Sequence, residues 1–390
     1  MGKSFALFFP TFVAHMRIAF DAKRAFMNFT GLGNYSRFVI DSMRAHYPEH
    51  EYLLYTPKAK RNPDTLRFFE DTHLIIQEPQ GIYKKPVLSS IWRSGLLAKI
   101  AKADGASILH GLSNELPALR ANGLKQVVTI HDLLFIRYPQ FFGKIDAAIY
   151  RKKFRSACER ADRIVAVSKQ TQSDIVEFFG IAPEKVSVIY QGCHPQFAQM
   201  ATAEMREAVR SKYGLPQEFL LFVGTLEERK NALLILKALV QGKLDIPVVL
   251  VGKPTAYAKH LMEYIEKHNL QNRVQILSSV TFSHLPALYQ MAKVFVYPSV
   301  FEGFGIPLVE ALQSGVPAIG ATGSCLEEAG GAGSLYTHPH NADELASHIN
   351  RIIDHPEVAY EMVIKGRQHI TQFSSEKIAT SLNNLYHSIG

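Results

Sequence analysis

Val296-Tyr-Pro-Ser-Val-Phe-Glu-Gly-Phe-Gly-Ile-Pro-Leu-Val-Glu310 reads as a buried strand ending at Tyr297, a glycine-bearing loop, and a helix with Pro307 in its first turn and Gly315 at its end. This order presents free backbone N–H groups and the positive end of a helix dipole beyond the strand's carboxyl end, an arrangement that favours a diphosphate. Gly303 and Gly305 let the main chain approach phosphates without side-chain obstruction. Glu302 stands before the helix and Glu310 inside it, so both carboxylates can face one ligand from different depths and bind its hydroxyls. A loop glutamate beside an exposed helix glutamate is commonplace taken alone; the flanking strand, glycines and helix start are what give the pair meaning.

Outward from this stretch, short β-branched or aromatic runs alternate with longer helical patterns, the mark of parallel α/β layers. Strands are expected at 16–21, 51–55, 73–77, 107–110, 126–131, 163–167 and 186–190, with helices at 33–46, 144–160 and 168–179. The alternation pauses after Gln191-Gly-Cys-His-Pro-Gln196 and restarts at Phe219. Further strands are expected at 219–223, 247–251, 273–277, 294–297 and 316–320, with helices at 230–241, 256–268, 283–291 and 306–314. Helices at about 341–355, 357–370 and 375–388 close the chain. The pattern predicts two doubly wound, Rossmann-like α/β domains facing a cleft: 1–195, 196–372, and a final helix over 373–390 that returns to the first domain. In open α/β sheets ligands sit at the strands' carboxyl ends, so two such sheets bring two sets of loops to one cleft.

Three of those loops carry chemistry. Val223-Gly-Thr-Leu-Glu-Glu-Arg-Lys-Asn231 leaves a strand at Gly224 and sets Arg229 and Lys230 at a helix start, where cations oppose the dipole and an anion in the cleft would explain them. A solvated surface pair is the plain alternative. Thr30-Gly-Leu-Gly-Asn34 places Gly31 and Gly33 between a strand and a helix, as a phosphate-facing loop or a tight turn. Val127-Val-Thr-Ile-His-Asp132 puts His131 and Asp132 at a strand's carboxyl end, as ligand contacts or as caps of the next loop. Ser168 reads as a helix cap.

With these residues on the page, the chain resembles the family 4 retaining glycosyltransferases, also called glycosyl transferases group 1, which have the two-domain GT-B fold. The resemblance runs from Met16 over nearly the whole chain and rests on the two glutamates, Glu302 and Glu310, around a Glu-Gly-Phe-Gly loop. It implies that Glu310 binds the donor ribose, that Glu302 and His131 approach the transferred sugar, and that Phe304, Gly305 and Ile306 line the phosphate and sugar pocket. It also implies that Arg229 and Lys230 bind the donor diphosphate, with Gly224 before them, that Gly31 and Gly33 admit it, that Val280 to Phe282 border the base, and that Glu328 has a structural role. Many relatives carry an arginine directly after the glycine, where this chain has Thr225, so either Arg229 or Thr225 faces the diphosphate.

No Asp-x-Asp pair occurs anywhere in the chain, so a metal-independent transfer is expected, with Arg229, Lys230 and the helix start answering the leaving group's charge and no cofactor beyond the nucleotide sugar. The Gly-Thr-Leu-Glu-x-Arg-Lys-Asn form resembles bacterial polysaccharide mannosyltransferases, which makes GDP-mannose the first expected donor and a UDP-hexose the second. A nucleotide-sugar 2-epimerase of the same architecture and a non-catalytic sugar-binding relative are the rival readings.

Charge and composition bound the partners. Residues 1–200 hold 27 Lys+Arg against 17 Asp+Glu, while residues 201–390 hold 16 against 18. That asymmetry favours an acidic partner, with an ordinary solvated basic surface as the plain and commoner alternative; with no nucleic-acid motif beside it, a glycan or lipid-linked glycan acceptor with peripheral contact to an anionic membrane is expected, not nucleic acid. Lys84, Lys85, Trp92, Arg93 and Lys99, alternating with apolar residues from Ile82 to Ile100, are read as a possible interfacial face, with an ordinary packed helix as the alternative. Cys158, Cys193 and Cys325 form no disulfide or zinc pattern, and no apolar run reaches the ~20 residues of a membrane span, so a cytoplasmic protein, peripheral to the membrane at most, is expected. Residues 1–15 read as an extension ahead of the natural start at Met16.

Overall fold

The computed structural model describes residues 15–390, so all but the last residue of the expected N-terminal extension lies outside the described residues. Two parallel sheets carry the fold. The first has seven strands: β1 (Arg17–Asp21), β2 (Glu51–Tyr55), β3 (Leu74–Gln77), β4 (Ile108–Gly111), β5 (Lys125–Ile130), β6 (Arg163–Ala166) and β7 (Val186–Val188), in the order β3-β2-β1-β4-β5-β6-β7. The second has six: β8 (Leu220–Val223), β9 (Val248–Val251), β10 (Val274–Leu277), β11 (Val294–Tyr297), β12 (Ala318–Ala321) and β13 (Ser334–Thr337), in the order β10-β9-β8-β11-β12-β13. Central strands such as Val248-Val-Leu-Val251 and Val294-Phe-Val-Tyr297 are buried along their length because helices cover both faces of each sheet.

The order reverses between β1 and β4 in the first sheet and between β8 and β11 in the second. A crevice opens where neighbouring strands send their connections to opposite faces. The loops leaving β8 and β11 are those that hold Arg229, Lys230 and Glu302, and Gly31 lies beyond β1.

The final helix, Ser375–His387, returns to the first domain as expected. His46 bonds Ser375 at 3.0 Å, His50 bonds Asn383 at 2.9 Å, and His110 Nδ1 bonds the Tyr386 hydroxyl at 2.7 Å, with Leu382 and Tyr386 fully buried. Several short elements were not expected, among them helices Lys23–Met27, Leu66–Glu70, Leu134–Arg137 and Leu326–Gly330, and neither were two further ones after residue 200. Helix Ala203–Tyr213 is capped by Thr202, whose hydroxyl accepts from Met205 N–H, and packs near Leu285–Met291 in the second domain. β13 follows Gly330-Gly-Ala-Gly333, a run with the composition of a loop.

The interfacial face expected over 82–100 keeps Ile82, Val87 and Ile91 exposed beside Lys84, Lys85 and Lys99, but Trp92 and Arg93 turn inward. Trp92 is buried with its ring 6.2 Å from that of Tyr55, and Arg93 bridges Asp21 and Glu115 at 2.8 and 2.9 Å inside the domain. A buried guanidinium held by two carboxylates cannot serve a lipid surface. Among the described residues, no helix is long and apolar enough to cross a membrane.

Candidate active site

The loop after β8 makes a tight turn over Glu228–Lys230 before helix Ala232–Gln241 begins, so the two cations precede the helix instead of opening it. Asn231, at φ 58°, ties this turn to the loop after β11: its side-chain amide donates to the carbonyls of Pro298 (3.1 Å) and Pro339 (2.7 Å). Val300 N–H donates to Arg229 O at 2.9 Å. The two loops therefore move as one piece, and they bring both cations to Glu302.

Glu302 is the hub of that piece. Its Oε1 accepts from Lys230 Nζ (2.6 Å), the Tyr297 hydroxyl (2.9 Å) and the Ser299 hydroxyl (2.7 Å), and its Oε2 lies 3.0 Å from Arg229. Burial alone would raise its pKa, but the adjoining Arg229 and Lys230 charges hold it at about 2. Burial lowers the Lys230 ammonium against the pull of Glu302. Arg229 also bonds Glu227 and the Phe301 carbonyl, and it borders a cleft cavity of about 620 Å³ shared with Arg24, Asn114 and Asp132. A closely balanced cluster of two cations and a carboxylate, at the carboxyl edge of a sheet, is costly to bury unless something else completes it.

Gly303 and Gly305 earn their places differently. A Cβ on Gly303 would stand 2.1 Å from the His131 carbonyl oxygen, so the loop lies directly against the end of β5. Gly305 has φ +107°, and helix Ile306–Gln313 starts from it with no side-chain cap. The N–H groups of Phe304, Gly305 and Ile306 bond no backbone carbonyl among the described residues outside the helix itself. Phe304 contributes only its backbone here: its ring is buried against Tyr190 and Phe373.

Glu310 faces a second cleft cavity, of about 480 Å³, whose walls include Gly31, Tyr35, Gln191, Phe282 and Ile306. Its one side-chain partner is the Tyr289 hydroxyl at 2.9 Å, and burial pushes its pKa up to about 8. Gly31 borders the same cavity, and a Cβ there would meet nothing within 4 Å. Gly33 does not share that freedom, since its Cβ would fall 1.7 Å from Asn28 O while its N–H is held by the Asn28 side chain. Phe282 borders the cavity, whereas Val280 packs partly buried against the second domain's core.

His131 lies between the domains with both ring nitrogens engaged. Nε2 is 2.9 Å from Leu112 O, which only an N–H can satisfy, and Nδ1 is 3.2 Å from the Gln191 amide nitrogen, which it accepts. Burial lowers its pKa to about 4, so the ring is neutral. Ser168 caps helix Lys169–Phe179 as expected, its hydroxyl accepting from Thr171 N–H at 3.1 Å. Glu328 reaches across from the second domain to the same helix end and accepts from Lys169 and Gln170 N–H at 2.7 and 2.9 Å. That bond pins one domain to the other through a helix dipole. Tyr297 and Ser299 lie in the quoted stretch and Gln191 in the segment between the domains without a role being read for them, and Tyr289 lies in no motif; their parts become visible only once the fold brings them to Glu302, Glu310 and His131.

Two doubly wound domains with an Arg-Lys-Glu cluster and an uncapped helix start at their cleft define a glycosyltransferase of the GT-B architecture. Residues 31–197 match the family model described as Glycosyltransferase Family 4, and residues 205–369 match Glycosyl transferases group 1. The chain belongs to this family. It is 27% identical over 267 residues to O-antigen chain mannosyltransferase B of Escherichia coli, an alignment covering 67% of this chain and 70% of that protein. It is 30% identical over 229 residues to the serotype-specific mannosyltransferase WbdA of Escherichia coli, covering 57% of this chain but 28% of WbdA. Among solved structures, Anabaena Alr3699/HepE in complex with UDP and glucose superposes with a TM-score of 0.74 at 19% identity, covering 96% of this chain and all of that one.

Proposed function

We propose that the chain transfers a hexose, mannose in the first instance, from a nucleotide diphosphate donor to a glycan or lipid-linked glycan in polysaccharide biosynthesis, with retention of anomeric configuration. The observation that carries this reading is that Arg229 and Lys230 both pair with Glu302, in the loop that leads directly into the uncapped start of helix Ile306–Gln313. In this reading the diphosphate lies between the cations and the helix start, and the ribose hydroxyls meet Glu310 in the cavity lined by Phe282 and Ile306. The acceptor enters the other cavity, beside Asn114, Asp132 and Arg229. The mannosyltransferase relatives favour GDP-mannose, and the UDP-bound fold neighbour keeps a UDP-hexose as the second donor.

Chemically, the bond between the anomeric carbon and the diphosphate oxygen breaks while the acceptor oxygen bonds that carbon from the same face. The acceptor's proton passes to the departing diphosphate oxygen. Arg229, Lys230 and the N–H groups of Gly305 and Ile306 answer the charge that grows on the leaving group, work that needs no metal ion or cofactor. The neutral His131 ring, engaged at both nitrogens, positions the loop at the sugar and is not the base. Glu302 stays ionised and can take sugar hydroxyls as the diphosphate draws its cations away.

The acceptor cavity opens beside helix Lys144–Arg160, which exposes Ile145 and Ile149 together with Lys144, Arg151, Lys152 and Arg155. With Trp92 and Arg93 turned inward, this helix is the proposed seat on an anionic membrane at the cytoplasmic face; vesicle flotation that is blind to salt and to charge reversal of this helix would remove it. The donor is tested by thermal shift against a set of nucleotide sugars. A donor at 100 times its Kd adds about 2.7 kcal/mol, and no shift with any guanosine or uridine diphosphate sugar would overturn the reading.

A further inference from the structure

A groove of about 610 Å³ runs along the outside of the second domain, lined by Glu228, Tyr257, His260, Glu263, Tyr264 and Lys267. Its size falls within the range of small-molecule clefts, about 300–1,000 Å³. Glu228 lies on the wall of both this groove and the acceptor-side cleft cavity, and it precedes Arg229, which pairs with Glu302.

The lining has one recurrent chemistry. Tyr257, His260 and Tyr264 stand at spacings of three and seven along helix Ala258–Lys267 and its first turn, so they share a face. The two tyrosines sit about 10 Å apart along the axis at 1.5 Å per residue, room for successive rings. Both are half-buried, which holds the rings in place while leaving part of each in the groove. Flat aromatic surfaces interspersed with the side chains of Glu228, Glu263 and Lys267 suit a ligand that has apolar C–H faces and many hydroxyls that donate and accept. A neutral glycan meets every condition.

We propose that this groove binds the acceptor glycan beyond its reacting sugar, taking a neutral hexose chain across Tyr257 and Tyr264. The inference rests on the reading of the chain as a transferase acting on a glycan, and it goes further by making the preferred acceptor an oligosaccharide, with recognition extending outside the catalytic cleft.

The probes are α-linked mannohexaose and mannose, titrated calorimetrically into the full chain, with the thermal shift by the nucleotide-sugar donor read in parallel. The hexasaccharide should bind at least tenfold more tightly than the monosaccharide. The double variant Tyr257→Ala/Tyr264→Ala should abolish that advantage and leave the donor shift unchanged, while Tyr257→Phe/Tyr264→Phe, which keeps both ring faces, should hold it within threefold. A wild-type chain that shows no preference for the hexasaccharide, or an alanine variant that retains it, overturns the groove. Either result leaves the donor shift standing, whereas loss of the donor shift in the wild type strikes the transferase reading itself. If the alanine pair fails to fold, Glu228→Ala/Glu263→Ala applies the same tenfold criterion.

Discussion

Glu310→Gln separates a carboxylate kept for a ligand from one kept for the fold. Glu310 has a single side-chain hydrogen bond, from Tyr289, and burial moves it from an ordinary 4.5 to about 8. Because the folded value lies above the unfolded one, the folded chain holds the proton more tightly and this group withdraws stability as pH rises from the unfolded to the folded pKa. At about 1.4 kcal/mol per pH unit the full displacement has an upper bound of about 5 kcal/mol; since the side chain opens on a water-filled cleft, screening leaves about 1–3 kcal/mol. Glutamine does not ionise, so the variant should unfold at higher temperature than wild type at pH 8.5, and the gap should close at pH 4.5. At about 2–4 °C per kcal/mol for a domain of this size, the difference at pH 8.5 is roughly 2–12 °C. The same variant should raise the donor KM while leaving kcat nearly unchanged, because ribose hydroxyls do not change during transfer. A stability difference independent of pH, with an unaltered donor KM, would refute the placement of Glu310 at the ribose.

Other expectations follow from the same geometry. Lys230→Ala should lower kcat by an amount equal to roughly 2–4 kcal/mol of transition-state stabilisation, with a smaller effect on donor KM; a kcat within threefold of wild type in steady-state kinetics would remove Lys230 from the leaving-group site. Gly31→Ala should fold normally and raise the donor KM, since its Cβ projects into the donor cavity, whereas Gly33→Ala should unfold at lower temperature because of the clash with Asn28. Equal melting temperatures for the two variants would contradict that division. Turnover in excess EDTA should match turnover in buffer, and a strict need for added Mg²⁺ or Mn²⁺ would displace the cation-based mechanism.

The fold was legible because its strands are short runs of buried β-branched and aromatic residues between clear helical periods, as at Val248–Val251 and Val294–Tyr297. The candidate site was legible where it is written locally: the glycine loop with Glu302 and the Arg229-Lys230 pair lie in single loops at strand ends, and Glu310 in the helix that follows the first of them. β13 escaped because Ser334–Thr337 is four residues long and follows glycines, and its place is set by pairing with β12. The reading of Trp92 and Arg93 as an interfacial face failed for a related reason. Local alternation of charge and apolar residues looks amphipathic, yet Arg93 is claimed by Asp21, 72 residues earlier, and no window of sequence displays such a bond. Glu328 shows the same limit from the other side, since its helix-capping role depends on a domain more than 150 residues away. The engagement of both His131 nitrogens was likewise invisible, because Leu112 and Gln191 meet it only in the folded cleft.

Transfer with retention is followed at the anomeric carbon itself by proton NMR. The chain is incubated with GDP-α-mannose and a mannoside acceptor, and the anomeric signals of donor and product are followed from the first turnovers. A retaining transferase gives a new α-mannosidic signal that grows as the donor signal falls, with no epimerised sugar nucleotide. A β-linked product, or an isomerised donor formed without any glycoside, would contradict retaining transfer.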